Sequence, residues 1–296
     1  MIAESLIRRD LEVVLTIYKY RYLKTSQIQQ LFFASLQTTR RSLRRLRTRE
    51  LIKSFKVSDI TEEIHCLRTQ GAKLVAQEFR TTIDNLKWSK HTHTPKDYYF
   101  TKHFLQTNQF RIDITKACDK SDINLAGFIP EYYGEKHPSG RILKRITDFT
   151  FDIADSRDKI GHTPDAVFAL SRENQAGLFF LEIDRGTQRP LNNPSKGFLK
   201  MLRFYLGYAK DRKFKSYEQE FNSGELTYFK LLIVTTNQKR LENMRQASSS
   251  YFDTYLNVLK WFWVTTLDQV NENTMWNLIW QSLNASDLVN HGLGVR

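Results

Sequence analysis

Between Gln37 and Lys56 the chain carries eight basic residues, Arg40, Arg41, Arg44, Arg45, Arg47, Arg49, Lys53 and Lys56, against one acid, Glu50. Leu43 and Leu46 stand three apart within that run, so QTTRRSLRRLRTRE predicts a helix from Gln37 to about Glu50 that packs one face and leaves the other cationic. Upstream, Leu6, Leu11, Val14, Leu15 and Tyr18 keep near-helical spacing up to Tyr20. Thr25 and Ser26 are N-cap residue types ahead of SQIQQLFF, where Ile28, Leu31 and Phe32 share a side. Downstream, LIKSFKV and EEIHCLRT alternate as two short strands around Ser58, Asp59 and Thr61, and a further helix starts at Gly71. Three helices, two strands and a closing helix is the order of a winged helix-turn-helix, read here over residues 1–80.

In that plan the second helix of the pair enters the major groove of DNA. Gln37, Thr38, Thr39, Arg40 and Arg41 open the basic helix and are the expected base-edge readers, arginine on guanine being the commonest such contact. Arg44, Arg45, Arg47 and Arg49 are expected on phosphates, which position a protein without specifying sequence. A solvated basic face is the competing reading of any charge run.

The net charge of +13 favours a polyanionic partner. No apolar run reaches the ~18–20 residues of a membrane span, and MIAESLIRRDLEVV lacks the order of a signal peptide, so a cytoplasmic protein with no membrane partner is expected. Cys66 and Cys118 lie far apart with no CxxC, which excludes a disulfide framework and a zinc ribbon.

With 296 residues there is room for a second domain. TTIDNLKWSKHTHTPK reads as a linker over residues 81–96; its His91 and His93 have no nearby Cys or carboxylate cluster to complete a metal site. From residue 97 to 296 the pattern is a helix to Cys118, then the strand-like runs INLAGFIPEYY, RITDFTFDIAD, DAVFAL and GLFFLEID. A basic amphipathic helix follows from about Asn193 to Tyr208, then the run TYFKLLIVTT, a helix from Arg240 to Leu259, and a strand at WFWVTT. This is a mixed-sheet α/β domain covered by helices.

Asp165 follows Pro164 at the head of one of these strands, and Glu182 and Asp184 sit two apart near the end of the next, hence on one face. If the two strands pair, three carboxylates converge into the hard oxygen shell that Mg²⁺ or Mn²⁺ requires. A solvated edge, or pairing with Arg185 and nearby lysines, explains the same acids without a metal. Trp261, Phe262 and Trp263 fit a core strand, or a base-stacking platform.

TPDAVFAL, FFLEIDRGTQ and the stretch from Lys196 to Tyr205 resemble the replication-relaxation family of bacterial mobile elements. The resemblance implies a role in plasmid replication and DNA relaxation, and a winged helix followed by a domain similar to the PD-(D/E)XK nuclease fold. It makes Pro164 and Asp165 the PD pair and Glu182 the acid of the second motif. Asp184 then stands where that motif expects lysine, a group that an aspartate cannot replace in stabilising developing negative charge. Lys196 or Lys200 would have to supply the ammonium from the next helix, with Lys200 the better placed. Glu131 is a further acidic candidate, and Arg185, Gly186 and Thr187 complete the family-like string, with Gly186 making the turn out of the strand.

Two functions follow. One is a sequence-recognising, Mg²⁺- or Mn²⁺-dependent DNA endonuclease that nicks or cleaves double-stranded DNA. The other is a catalytically inactive nuclease-fold regulator or replication adaptor, whose second domain forms a homodimer or recruits replication or mobilisation proteins.

Overall fold

A computed structural model describes residues 6–86, 88, 98–132, 134–136, 142–173, 175–186 and 191–294. Two compact units, Met1–Ile112 and Asp113–Arg296, make up the fold. The division falls inside a helix rather than in the polar stretch 81–96, most of which, with His91 and His93, lies outside the described residues, as does Thr187.

The first unit contains α1 (Arg8–Tyr20), β1 (Tyr22–Lys24), α2 (Thr25–Phe32), α3 (Leu36–Thr48), β2 (Ile52–Phe55), β3 (Ile64–Leu67) and α4 (Thr69–Glu78). β3 is central in a three-stranded antiparallel sheet of order β1-β3-β2. β1 is absent from the sequence reading because three residues are too few to show alternation. Ser35 caps α3, its Oγ accepting the Thr38 N–H at 3.3 Å. Val13, Val14 and Ile17 of α1 bury against Leu43 and Leu46 of α3 and Leu74 and Val75 of α4. With only two leucines turned inward, α3 depends on this tertiary burial for its position.

α5 (Tyr98–Cys118) runs across the division. The second unit is mixed α/β, built on a seven-stranded sheet of order β14-β13-β12-β11-β10-β9-β4. Its strands are β4 (Asn124–Pro130), β9 (Ala166–Arg172), β10 (Gln175–Ile183), β11 (Phe229–Thr235), β12 (Phe262–Thr266), β13 (Trp280–Ser282) and β14 (Asn290–His291). β4, β9 and β10 are antiparallel neighbours, whereas β10, β11 and β12 run parallel. The remaining strands form two small hairpins, β5 (Gly134–Lys136) with β6 (Ile142–Lys144), and β7 (Asp148–Phe151) with β8 (Lys159–His162). RITDFTFDIAD therefore contributes to a side hairpin and not to the main sheet.

Parallel neighbours need a crossover. α6 (Gly197–Lys210) and the short α7 (Tyr217–Phe221) lead from β10 to β11, and α8 (Gln238–Tyr251) with α9 (Leu256–Leu259) leads on to β12. The expected single helix from Arg240 to Leu259 is thus broken after Tyr251. Phe198, Leu199, Leu202, Tyr205 and Leu206 of α6 pack on Leu178 and Phe180 of β10, Leu231 and Ile233 of β11, and Leu241 and Met244 of α8. Gly207 lets α6 lie tight on β7, since a Cβ there would come within 2.5 Å of the Phe151 carbonyl oxygen. Cys66 and Cys118 are free and buried, and burial pushes both thiols up to about 12. Among the described residues no helix is long and apolar enough to cross a membrane.

Candidate functional site

Two surfaces hold the residues singled out by sequence, one in each unit. On α3, Gln37, Thr38, Arg40, Arg41 and Arg44 are exposed. The guanidinium groups of Arg40, Arg41 and Arg44 have no ion-pair or hydrogen-bond partner among the described residues. Five of the nine expected DNA contacts are otherwise engaged, among them Arg49 and the exposed Thr38, whose hydroxyl donates to the Ser35 carbonyl at 2.9 Å. Thr39 is fully buried and its hydroxyl donates to the Ser35 carbonyl at 2.9 Å, so it faces the core instead of a base edge. Arg45 clamps the buried Asp10 of α1, with Nε and Nη2 at 3.0 and 2.9 Å from the two carboxylate oxygens, while Ser42 Oγ donates to the same carboxylate at 2.6 Å. Arg47 donates to Glu63 at 3.0 Å and to Ser54 at 3.2 Å, tying α3 to the β2–β3 hairpin. Arg49 is exposed at the C-cap of the helix.

The acidic residues of the second unit gather where β9 begins and β10 ends. Asp165 precedes β9, and its Oδ2 accepts the Ile183 N–H at 2.6 Å, replacing the ladder bond lost where β9 starts. Glu131 follows β4 and donates its backbone N–H to the Asp165 carbonyl at 2.8 Å. Their carboxylate oxygens come within 4.8 Å of each other. Glu182 points under α6, where its Oε1 accepts from the Tyr205 hydroxyl at 2.6 Å and lies 2.6 Å from His162 Nε2. Its Oε2 has no hydrogen-bond partner among the described residues.

Asp184 is on the same face as Glu182, as the two-residue spacing requires, but does not join it. Arg240 of α8 grips its two oxygens from Nε and Nη2 at 2.8 and 3.0 Å, and the Thr235 hydroxyl donates at 2.7 Å. Asp165, Glu182 and Asp184 do not bring one oxygen each into mutual ligating range, so the expected three-carboxylate convergence is not formed. At the position where the motif expects lysine, the acid has an arginine partner and a structural role. Gly186, with φ of +72°, makes the expected turn out of the strand.

His162 was missed by the sequence reading. It closes β8, a four-residue strand whose alternation is too short to register, and only its place three residues before Asp165 hints at a role. Burial pushes its ring down, but the charge and hydrogen bond of Glu182 outweigh that, with help from Asp165, and the net direction is upward. Burial likewise drives the Glu182 carboxyl up, against the opposing pull of His162. A buried carboxylate and imidazole at this separation are held as one unit that retains a proton. Burial and then the Glu182 charge hold the Tyr205 phenol well above its usual value, so it remains a donor. Lys200, exposed on the first turn of α6, is near enough for its charge to act on His162; Lys196 is the exposed N-cap of that helix. The arrangement offers two neighbouring carboxylates, a proton-holding pair and an adjacent ammonium.

A family model described as replication-relaxation matches residues 15–222, from within α1 to just past α7. No curated protein and no solved structure matches the chain.

Proposed function

The chain belongs to the replication-relaxation family, and from that premise we propose that it binds double-stranded DNA in plasmid or mobile-element replication, with α3 of a winged helix-turn-helix seated in the major groove. The observation that carries this reading is the exposed, unpartnered set Arg40, Arg41 and Arg44, with Gln37 and Thr38 at the start of the same helix. It is supported by the sequence of α1, α2 and α3 followed by the β2–β3 hairpin as the wing. The test is binding of a labelled 30-base-pair duplex. R40A/R41A/R44A should abolish most of the affinity while the protein stays folded, and undiminished binding would refute the assignment.

A second reading concerns the other unit, as a PD-(D/E)XK-like domain that hydrolyses phosphodiesters with Mg²⁺ or Mn²⁺. The order α5, β4, β9, β10, α6, β11, with three antiparallel strands and a helical crossover to a parallel fourth, favours that fold. Asp165 and Glu131, with carboxylate oxygens within 4.8 Å of each other, are the residues that would hold the cation, hard donors that fit either metal, while Glu182 stands outside mutual ligating range of the two and acts on the group through its charge. Such an ion supplies charge stabilisation and water activation. Lys200 is an ammonium whose charge reaches this group, and His162 is its proton-holding member. Supercoiled plasmid should be nicked or linearised only with the metal present, and D165A and E131A should prevent it. D184A should not, provided that it folds. Cleavage in excess chelator would refute the metal site, and a fully metal-loaded protein without cleavage leaves the domain a binding and assembly module.

A further inference from the structure

Phe229, Leu231 and Ile233 of β11, with Phe262 and Val264 of β12, belong to the core beneath α6 and α8. Strand alternation therefore sends Lys230 and Trp263 to the opposite face. There a groove of about 580 Å³ is lined by Tyr228, Lys230, Lys260, Trp261, Trp263 and His291, among others. That volume lies within the ~300–1,000 Å³ of small-molecule sites.

Flat rings form much of its wall, beside the exposed Leu278 and Val289. Tyr228 and Trp261, which stand just before β11 and β12, have centroids 4.4 Å apart and are 39% and 42% exposed. Beside them Trp263 stacks on His291 with centroids 4.8 Å apart and planes 8° from parallel, and Lys230 Nζ lies 3.8 Å from the Trp263 centroid. Lys260 is exposed, and its ammonium has no partner among the described residues. The acid lining the groove, Asp287, faces the His291 ring at 3.3 Å.

Phe262, between the two tryptophans, is 1% exposed and satisfies the ordinary expectation for an aromatic in a strand. Trp261 and Tyr228 do not, and nothing in the core requires them. Open aromatic faces beside ammonium groups match a ligand that is planar, apolar and linked to negative charge. An apolar protein surface would be met by the rings together with Leu278 and Val289, but would leave Lys260 without its counter-charge.

We propose that this groove binds unpaired bases of single-stranded DNA, stacked on Trp261 and Tyr228, with the phosphates meeting Lys260. Stacking on aromatic side chains next to basic residues is how single strands are held without sequence preference. The groove is separate from the acidic group, since Glu182 lies on the α6 face of the sheet. It does not depend on the duplex surface of α3 either. DNA opened during replication would offer both forms.

The test is fluorescence anisotropy of labelled (dT)12 with the full-length protein, repeated in the R40A/R41A/R44A background to keep this outcome apart from that of the α3 reading. Trp261→Ala and Tyr228→Ala should each weaken (dT)12 binding about fivefold or more, Trp261→Phe should retain most of it, and binding of a 30-base-pair duplex should be unaffected. Unchanged affinity in both alanine variants, an equal loss on duplex, or failure of the unaltered protein to bind (dT)12 would each overturn the proposal. Tighter binding of (rU)12 through the same residues would overturn the assignment to DNA. Should the alanine variants fail to fold, (dT)12 must quench the tryptophan fluorescence of the unaltered protein and Lys260→Ala must weaken binding; absence of either result overturns it.

Discussion

Arg44 and Arg45 are adjacent in sequence, yet Arg44 is exposed without a partner among the described residues while Arg45 is held by Asp10, and if α3 binds DNA as proposed, salt dependence can tell them apart. Each phosphate contact on duplex DNA contributes about 0.9 to the slope of log K against log salt. Arg40, Arg41 and Arg44 are the exposed guanidinium groups of α3 without a partner among the described residues, and with Arg40 and Arg41 on base edges and Arg44 on a phosphate, R40A/R41A/R44A should lower the slope by about 0.9. Between 50 and 200 mM salt that one phosphate contact would account for an affinity loss of about 3.5-fold, which the triple variant should be spared. Arg45→Ala should leave the slope within about 0.5 of the original value, well short of a full contact. Its cost should appear in stability instead. Asp10 is 3% exposed and would keep only the Ser42 hydroxyl, but the Arg45 side chain is 41% exposed, which places the loss between the surface and buried limits, at about 1–3 kcal/mol. For a unit of this size that is a fall in Tm of roughly 5–20 °C. Anisotropy titrations at four salt concentrations and thermal melts suffice. An unchanged slope in the triple variant, or a drop of a full contact in Arg45→Ala with an unchanged Tm, would refute the division of labour along α3.

The two units should respond to pH with opposite sign. Burial pushes His65, held between Thr25 and Ser54, down to about 4, so the first unit has its full His65 contribution above pH 6.5 and loses about 3 kcal/mol as pH falls to 4; melts of His65→Gln should lack that slope. His162 and Glu182 are both raised, so the folded second unit holds more protons than the unfolded chain and loses stability as pH rises through the shifted values. Glu182→Gln should flatten that dependence, and a steeper one would contradict it. Gly207→Ala forces α6 away from the Phe151 carbonyl and should cost about 1–3 kcal/mol in chemical denaturation, whereas Gly224→Ala, with open space but φ of +70°, should cost about 1 kcal/mol.

What the sequence discloses and what it conceals divide along a physical line. The basic face of α3, the order of the elements and the shared face of Glu182 and Asp184 are local, since they follow from spacings of two to four residues within one element. The fate of a side chain on such a face is not local. Asp10 stands 35 residues before Arg45, and Arg240 stands 56 residues after Asp184, and in each case the partner converts a candidate functional charge into a structural one. Composition gives no sign of it, because these charges are ordinary in kind and the pairing depends on how α1 meets α3 and how α8 meets the end of β10.

His162 shows the converse. It lies 20 residues from Glu182, on a hairpin outside the main sheet, and becomes part of the acidic group because β8 packs against α6, whose Tyr205 holds the same Glu182 oxygen. The pairing also explains how the chain tolerates Asp184 where a lysine is expected. A lysine there would meet Arg240 head-on, two cations at the end of one strand. With Arg240 in place the position accepts an acid, and any ammonium serving the acidic group must come from α6. Lys200 is the residue with its charge already acting on that group. Changing Asp184 to lysine should therefore restore nothing by itself; D184K should lower the Tm through repulsion from Arg240, and D184K/R240D, which reverses the pair, should recover it. Recovery of stability without any change in nicking would locate both residues in the fold. A gain of nicking in the double variant would show that the strand position, and not α6, is where the lysine is needed.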